Sequence, residues 1–297
     1  MTEYKLEIWQ KTPLIDRSQV ILDYQGRSRF DRETEKRVFE SFTGVENYPI
    51  INLRAVIYNH QKQTLYLDVG ESLFAEHVVL NKTDKIANGR GIALEERVLP
   101  LTVVGVSVTQ DEKVIFSSCT QNGTVTVGKT SLLPGGYMHT WDRNKDNKLD
   151  PWEVALREFA EETGVPTEQI TSLKGSGLIY SDDINRGFVI PFELRLSAES
   201  GVVEEKYKKA SDPETEAIHL VPFKEGAIFD FVKERLSGMS NHALGTLLLV
   251  GNNRFGSDWY KEFIDFVRKG YGGVLELDEE LFRKRADVRE IIKAHHS

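Results

Sequence analysis

The chain has 297 residues, of which 40% are hydrophobic and 10% aromatic, enough for real cores and, by length, for about two domains. Its net charge of −8 argues against a nucleic-acid surface, which calls for clustered Lys and Arg, so no DNA partner is expected, although a local basic pocket for a nucleotide is compatible with it. A single cysteine, Cys119, excludes an internal disulfide, and no apolar run approaches the roughly 18 to 20 residues that span a bilayer, so the expectation is a soluble cytoplasmic protein with no membrane partner.

Residues 1–97 read as a small α+β unit. Tyr4 to Trp9 and Val20 to Tyr24 have strand character, and Asp31 to Phe42 has helical spacing with Val38, Phe39 and Phe42 inward. Ile50 to Tyr58 and Thr64 to Val69 read as a hairpin joined through Asn59 and His60. Asn81 to Gly91, rich in Lys, Asp, Asn and Gly, is the linker candidate. Leu101 to Thr109 and Val114 to Gln121 follow as apolar strands, and Asn122 and Gly123 turn the chain into Thr124 to Val127. Cys119 falls in that apolar pattern and reads as a core thiol.

The most informative stretch runs from Leu133 to Val165. Asp150, Pro151 and Glu153 supply an N-cap acceptor, a proline at the first helical position and a carboxylate able to reach back to the cap, and Gly164, Val165 and Pro166 end the helix. Glu158, Glu161 and Glu162 stand at i, i+3 and i+4 and share one face, while Trp152, Ala155, Leu156 and Phe159 form another. Like charges so close destabilise an isolated helix by a few tenths of a kcal/mol per pair, and a divalent cation would reverse that sign. Oxygen-only ligands suit Mg²⁺ or Mn²⁺. Arg157 can pair with Glu161 one turn on.

These residues carry a resemblance. The run from Arg157 to Val165 is similar to the second half of the Nudix box (REUxEExGU, U apolar), and Pro134, Gly135 and Gly136 are similar to its opening. The resemblance implies a Nudix α/β/α sandwich with a mixed sheet over residues 98–235, preceded by the 1–97 unit and followed by a helical extension over 236–297. It implies metal-dependent hydrolysis of a diphosphate bond in a small nucleoside diphosphate linked to another group. Glu161, Glu162 and the Gly135 carbonyl would hold Mg²⁺ or Mn²⁺. Glu158 would share in the metal site and orient or deprotonate water, and Arg157 would steady the carboxylates. Thr64 to Val78 resembles the branch that cleaves UDP-sugars; ADP-ribose, dinucleoside polyphosphates and capped RNA stay open, with the acidic balance disfavouring long RNA.

The chain departs from the box in two respects. The family pattern has a glutamate eight residues before the arginine, where Leu149 stands, and Gly136 to Arg157 spans 21 positions instead of 14. Within the lengthened loop Asp142, Asn144, Asp146, Lys148 (through its carbonyl), Asp150 and Glu153 occupy positions 1, 3, 5, 7, 9 and 12 of an EF-hand Ca²⁺ loop, with Asn147 at the position that takes positive φ. The expectation is a Ca²⁺ site that fixes the start of the helix; a polar loop ending in an ordinary cap is the alternative.

After the helix, Gly177 to Tyr180 and Phe188 to Leu196 read as strands, with Asp182, Asp183 and Arg186 in the loop between them. Ser211 to Phe223, an acidic loop entering a strand, resembles the late Nudix region, which implies Glu214 or Glu216 as a further metal ligand or general base; His219 reads as structural. Ala227 to Leu236, Asn241 to Val250, Ser257 to Lys269 and Glu279 to Ala294 have helical spacing, and Trp259, Phe263 and Phe266 form a stripe that reads as core. A weakly active or inactive Nudix-fold nucleotide sensor responsive to calcium is the competing reading of the whole.

Overall fold

Every residue of Leu101–Val108 (β5) is buried, because the strand is covered on both sides. Leu101 and Val103 enter one hydrophobic core, and Val104, Val106 and Val108 enter another across the sheet. A computed structural model describes residues 6–10, 17–27, 47–59, 61–78, 98–119, 128–181, 187–210, 215–271, 273–277 and 280–281. Around β5 lie Leu6–Gln10 (β1), Lys113–Cys119 (β6), Leu178–Ser181 (β10), Gly187–Leu196 (β11), Thr215–Pro222 (β12) and Val274–Glu276 (β13), in the order β12-β6-β5-β11-β10-β1-β13. Thr130–Leu132 (β7) pairs with β6, Gly135–Tyr137 (β8) with β5, and Ile170–Gly175 (β9) with β11. The β5–β11 and β1–β13 pairs are parallel and the others antiparallel, so the sheet is mixed.

Helices close both faces. Pro151–Thr163 (α1) and Ser200–Tyr207 (α2) contribute Trp152, Val154, Phe159 and Val203 to the first core. Glu225–Arg235 (α3), Asn241–Phe255 (α4) and Ser257–Tyr271 (α5) contribute to the second. The result is the expected α/β/α sandwich with a helical C-terminal extension. In α4, Asn241 to Gly251 are all buried, since the helix lies between the sheet and α5. Its glycines permit that approach: a Cβ at Gly245 would lie 2.5 Å from Ile179 Cδ1, and one at Gly251 would lie 2.1 Å from Trp259 Cζ3. Trp259 and Phe263 stack at 4.6 Å within this core, as their spacing predicts. Among the described residues no helix is long and apolar enough to cross a membrane.

The N-terminal region is less separate than the sequence suggests. Val20–Arg27 (β2), Pro49–Asn59 (β3) and Thr64–Leu73 (β4) form a three-stranded sheet in the order β2-β4-β3, including the expected hairpin. The first strand, however, joins the large sheet between β10 and β13. Strand β3 is bonded to the box region, where the Ile51 N–H donates to Met138 O at 2.7 Å. Leu53, Leu65, Leu67 and Val69 share one core with Trp152 and Phe159. A cut at residue 97 therefore divides a continuous core, and the apolar alternation of β1, β3 and β4 gave no hint of which sheet each would join. Strands β9 and β13 and helix α2 were not anticipated; β13 has three residues, too few for a periodic signal. The helix expected over Asp31 to Phe42, the linker over Asn81 to Gly91, the strand Thr124 to Val127 and most of Glu279 to Ala294 lie outside the described residues. Cys119 is half-buried at the end of β6 and is not a core thiol.

The β5–β6 turn anchors α2 through Asp111, which accepts from Ser200 N–H at 2.8 Å, Ser200 Oγ at 2.7 Å and Thr109 Oγ1 at 2.8 Å, with Lys113 Nζ 3.0 Å away. Partial burial works against its ionisation, but the bonds from Ser200, Thr109 and Lys113 outweigh that and hold the carboxyl well below the usual carboxylate range. A depressed pKa contributes stability that is present above the unfolded value of about 3.9 and fades as pH falls below it. We expect Asp111→Ala to lower the melting midpoint by about 2–4 °C at pH 7, the scale of a lost helix cap, and the gap from wild type to narrow in melts below about pH 4.

Candidate active site

Helix α1 is fixed at both ends by local chemistry. Asp150 is extended at the N-cap, and its Oδ1 accepts from Trp152 N–H at 2.9 Å. Gly164 ends the helix with φ of 67° and donates to Ala160 O at 2.9 Å. The buried face of Trp152, Val154, Ala155 and Phe159 keys the helix into the core; Phe159, fully buried, would cost about 3–5 kcal/mol if cut to alanine. That anchoring turns Arg157, Glu158, Glu161 and Glu162 toward strand β8.

The glycines of β8 determine how close the carboxylates come. A Cβ at Gly136 would sit 2.0 Å from the Glu158 carboxyl, so any other residue there would displace that carboxyl from its present place. The Gly135 N–H donates to Glu162 Oε2 at 3.0 Å. Gly105 permits the same closeness on the neighbouring strand β5: its N–H donates to Pro134 O at 2.7 Å, and a Cβ there would lie 2.6 Å from Pro134 Cδ. The Leu133–Pro134 peptide is cis.

Arg157 lies at the centre of the polar contacts. Its Nε and Nη2 donate to Asp142 Oδ1 and Oδ2 at 2.8 and 3.1 Å, a two-pronged pair. Its Nη1 lies 2.8 Å from Glu158 Oε1 and 3.1 Å from Glu161 Oε2, and Nη2 reaches Tyr137 O at 3.4 Å. Burial opposes the charged guanidinium, but the bonds to Asp142 and the charges of Glu158 and Glu161 outweigh that and keep Arg157 a cation. Burial pushes Glu158 up to about 7; Arg157 pulls the other way, while Glu161 and Asp142 add to the rise. Two carboxylates thus converge on one atom, with the buried one near neutral pH in its titration.

Asp142 changes the reading of the box. Counted forward from Gly136, the family pattern's own glutamate falls six positions on, and Asp142 stands there. The acid missing at Leu149 is therefore present before the insertion, and the extra seven residues lie between it and the arginine. Leu149 itself is buried in the core. Counting back from Arg157 alone concealed this, whereas counting from the glycine would have found it.

The insertion does not take the expected calcium-loop arrangement. Both Asp142 oxygens are on Arg157, and Oδ2 also accepts from His139 N–H at 2.6 Å. Asn144 Oδ1 accepts from the N–H groups of Asp146 and Lys148 at 3.0 and 3.2 Å. Asp150 and Glu153 meet Arg17 Nη1 at 3.0 and 2.5 Å. Glu153 does not reach back to the cap, because the Asp150 N–H already donates to Asp142 O at 3.0 Å. Asp146 and Lys148 are exposed, and Asn147 has the positive φ of 59° that its position predicts. Among the described residues no three His, Cys, Asp or Glu gather into a metal-holding group.

Glu214, Asp182, Asp183 and Arg186 lie outside the described residues. Glu216 is exposed on β12, which pairs with β6 and not with β8. His219 Nε2 lies 2.8 Å from Ser118 Oγ between strands, consistent with a structural residue. An aromatic row beside the box had not been singled out. Phe74 stacks on Tyr48 at 4.8 Å and meets Tyr137 at 5.4 Å; His77 Nε2 lies 3.3 Å from Tyr137 Oη; Tyr48 meets His139 at 5.0 Å; and exposed Trp141 stacks on His139 at 4.4 Å. Burial holds the His139 imidazole below its ordinary value, against the pull of Pro49 O. The signal for this row is spread over residues 48 to 141 and only becomes a row when β3 pairs with the box.

No family model matches the chain, and no curated protein matches it. Among solved structures, it is similar to Tm1382, described as a candidate Nudix hydrolase, at 14% identity over 70% of this chain and 99% of that one, TM-score 0.39. It is similar to a Nudix hydrolase from Nitrosomonas europaea at 15% identity over 52% and 90%, TM-score 0.33. It is also similar to NrtR of Shewanella oneidensis, solved with a 27mer DNA, at 16% identity over 62% and 81%, TM-score 0.33. At these scores the likenesses carry no argument about activity.

Two variants separate positioning from folding at this site. Gly136→Ala should leave the melting midpoint within a few degrees, because the flexible end of Glu158 can move aside, yet lower any turnover roughly a hundredfold through that displacement. Asp142→Ala should destabilise the fold by about 2–3 kcal/mol in urea unfolding, less than a fully buried pair because Arg157 is 24% exposed. Glycine opening, box helix and α/β/α sandwich together make the resemblance to the Nudix hydrolase superfamily one of both motif and architecture.

Proposed function

We propose that the protein is a metal-dependent hydrolase of the diphosphate bond in a nucleoside diphosphate linked to a second moiety, a nucleotide sugar such as UDP-glucose or ADP-ribose. The observation that carries this reading is the buried Glu158, pressed against Gly136 with its carboxyl near 7 and sharing Arg157 Nη1 with Glu161.

The donor chemistry suits a hard divalent cation, which would have to draw these side chains together from their present contacts with Arg157 and β8. Glu158, Glu161 and Glu162 offer only oxygen, Glu162 is held to the backbone of β8, and the crowding of Glu158 and Glu161 raises the cost of their joint ionisation. Mg²⁺ or Mn²⁺ held by these residues and the Gly135 carbonyl would neutralise phosphate oxygens and acidify water. The residues supply the rest. Glu158, buried against Gly136 and held by Arg157, is placed to orient water and accept its proton. The water oxygen forms a bond to one phosphorus as the bond from that phosphorus to the bridging oxygen breaks, and two phosphate-bearing products leave. Arg157 keeps Glu158 and Glu161 aligned through its hold on Asp142.

The nucleotide-sugar preference is supported by the resemblance of Thr64 to Val78 to the UDP-sugar branch, together with the contacts of Phe74 and His77 from that stretch with Tyr137 of β8. The −8 net charge favours a small substrate over a long polyanion. With Asp142 at the place of the missing acid, a sensor that has lost turnover has less to recommend it. Chromatographic product analysis with Mg²⁺ and a panel of UDP-glucose, ADP-ribose, NADH and diadenosine polyphosphates tests the proposal. We expect cleavage of a nucleotide sugar into two phosphate-bearing products, reduced by about 10²-fold or more in Glu158→Gln. Binding without cleavage across the panel would sink it.

A further inference from the structure

The inserted loop carries the spacing of a calcium site, yet three of its carboxylates, Asp142, Asp150 and Glu153, are taken by the protein's own cations. A single guanidinium nitrogen, Arg17 Nη1, joins the loop's ninth and twelfth positions, at 3.0 Å from Asp150 Oδ2 and 2.5 Å from Glu153 Oε1. The first position, Asp142, is spent on Arg157. Asn144, at the third, turns its oxygen to backbone N–H groups and its Nδ2 to Asp150 at 3.3 Å. We propose that Arg17 takes the place of a cation in this loop and is a positioning residue for the box helix, so that the loop closes without Ca²⁺.

Three features support a positioning role over an incidental surface pair. Asp150 is the N-cap of α1, with a side chain only 5% exposed, and Glu153 lies in the first turn, so the contact falls where the orientation of the helix is set. Arg17 opens the short turn Arg17–Gln19 that runs directly into β2. A second tie exists in the same direction: the Arg143 guanidinium of the loop lies 5.7 Å from the Tyr24 ring on β2. The loop thus latches the N-terminal sheet to the start of the helix that carries Glu158, Glu161 and Glu162. Any divalent ion entering would have to displace Arg17 from two carboxylates and pull Asp142 from Arg157, which would loosen the active carboxylates it was meant to fix.

The role in catalysis rests on the hydrolase reading, but the loop's chemistry is tested apart from it. Calorimetric titration of the full chain with CaCl₂, and thermal melts with CaCl₂ or EGTA, should show no loop-dependent heat and no shift in the wild type. Arg17→Met, which releases Asp150 and Glu153, should lower the midpoint and acquire a Ca²⁺ heat that Asp146→Asn removes. On the nucleotide that the wild type cleaves, Arg17→Met should lose roughly ten- to a hundredfold in kcat with KM within about twofold, and Arg17→Lys should retain part of the rate. Wild-type Ca²⁺ binding abolished by Asp146→Asn would overturn the proposal, as would an Arg17→Met variant that matches wild type in midpoint and kcat. Should Arg17→Met fail to fold, the wild-type calcium titration and Arg17→Lys decide it. If no nucleotide is cleaved, the hydrolase reading falls while the calorimetric and melting arms still decide the latch.

Discussion

The geometry of the site depends on a half-buried guanidinium held by an acid from outside its own helix. Arg157 is grasped on two nitrogens by Asp142, which is almost fully buried, and offers its remaining nitrogen to Glu158 and Glu161. Such a pair is costly to bury and is repaid only when its hydrogen bonds are satisfied, which the Tyr137 carbonyl and His139 N–H help to do. Like-charged carboxylates at helical spacing repel one another. A cation fixed between them by a third acid keeps them within reach of a common centre without neutralising them all.

Backbone closeness is the second requirement, and glycine provides it on two paired strands of the sheet. Gly105 lets Pro134 settle on β5, and Gly136 lets Glu158 settle on β8. The Glu158 carboxyl is consequently located by the sheet itself, with the helix acting as the arm that delivers it. The N-terminal strands complete this arrangement from the other side: β3 bonds to the box strand, and Tyr48, Phe74 and His77 border it.

How much of this was legible in the sequence depended on whether the signal was local. Helix α1, its cap, its glycine stop and its acidic face are encoded within a few turns, and they were read directly. The Asn147 backbone was legible for the same reason. Asp142 was visible but was assigned to a metal, because the loop pattern counts along the chain and says nothing of a guanidinium arriving from residue 17 or from the next helix. The aromatic row and the large-sheet position of β1 are products of pairing between segments far apart. Cys119 shows the same limit: an apolar strand pattern does not reveal whether a residue lies in the middle of a sheet or where it frays.

One pairing bears on how the molecule comes together. Leu6 of β1 lies opposite Val274 of β13, so the strand near the beginning of the chain finds its parallel partner near the end. Closing a loop of that length carries a large entropic cost that local contacts do not bear, and contacts of high sequence separation form late. The box region, complete within residues 133–165, has no such wait. During synthesis the site can therefore assemble well before the sheet is finished, and until β13 arrives the outer edge of β1 stays unpaired, a template for wrong partners that the last short strand removes.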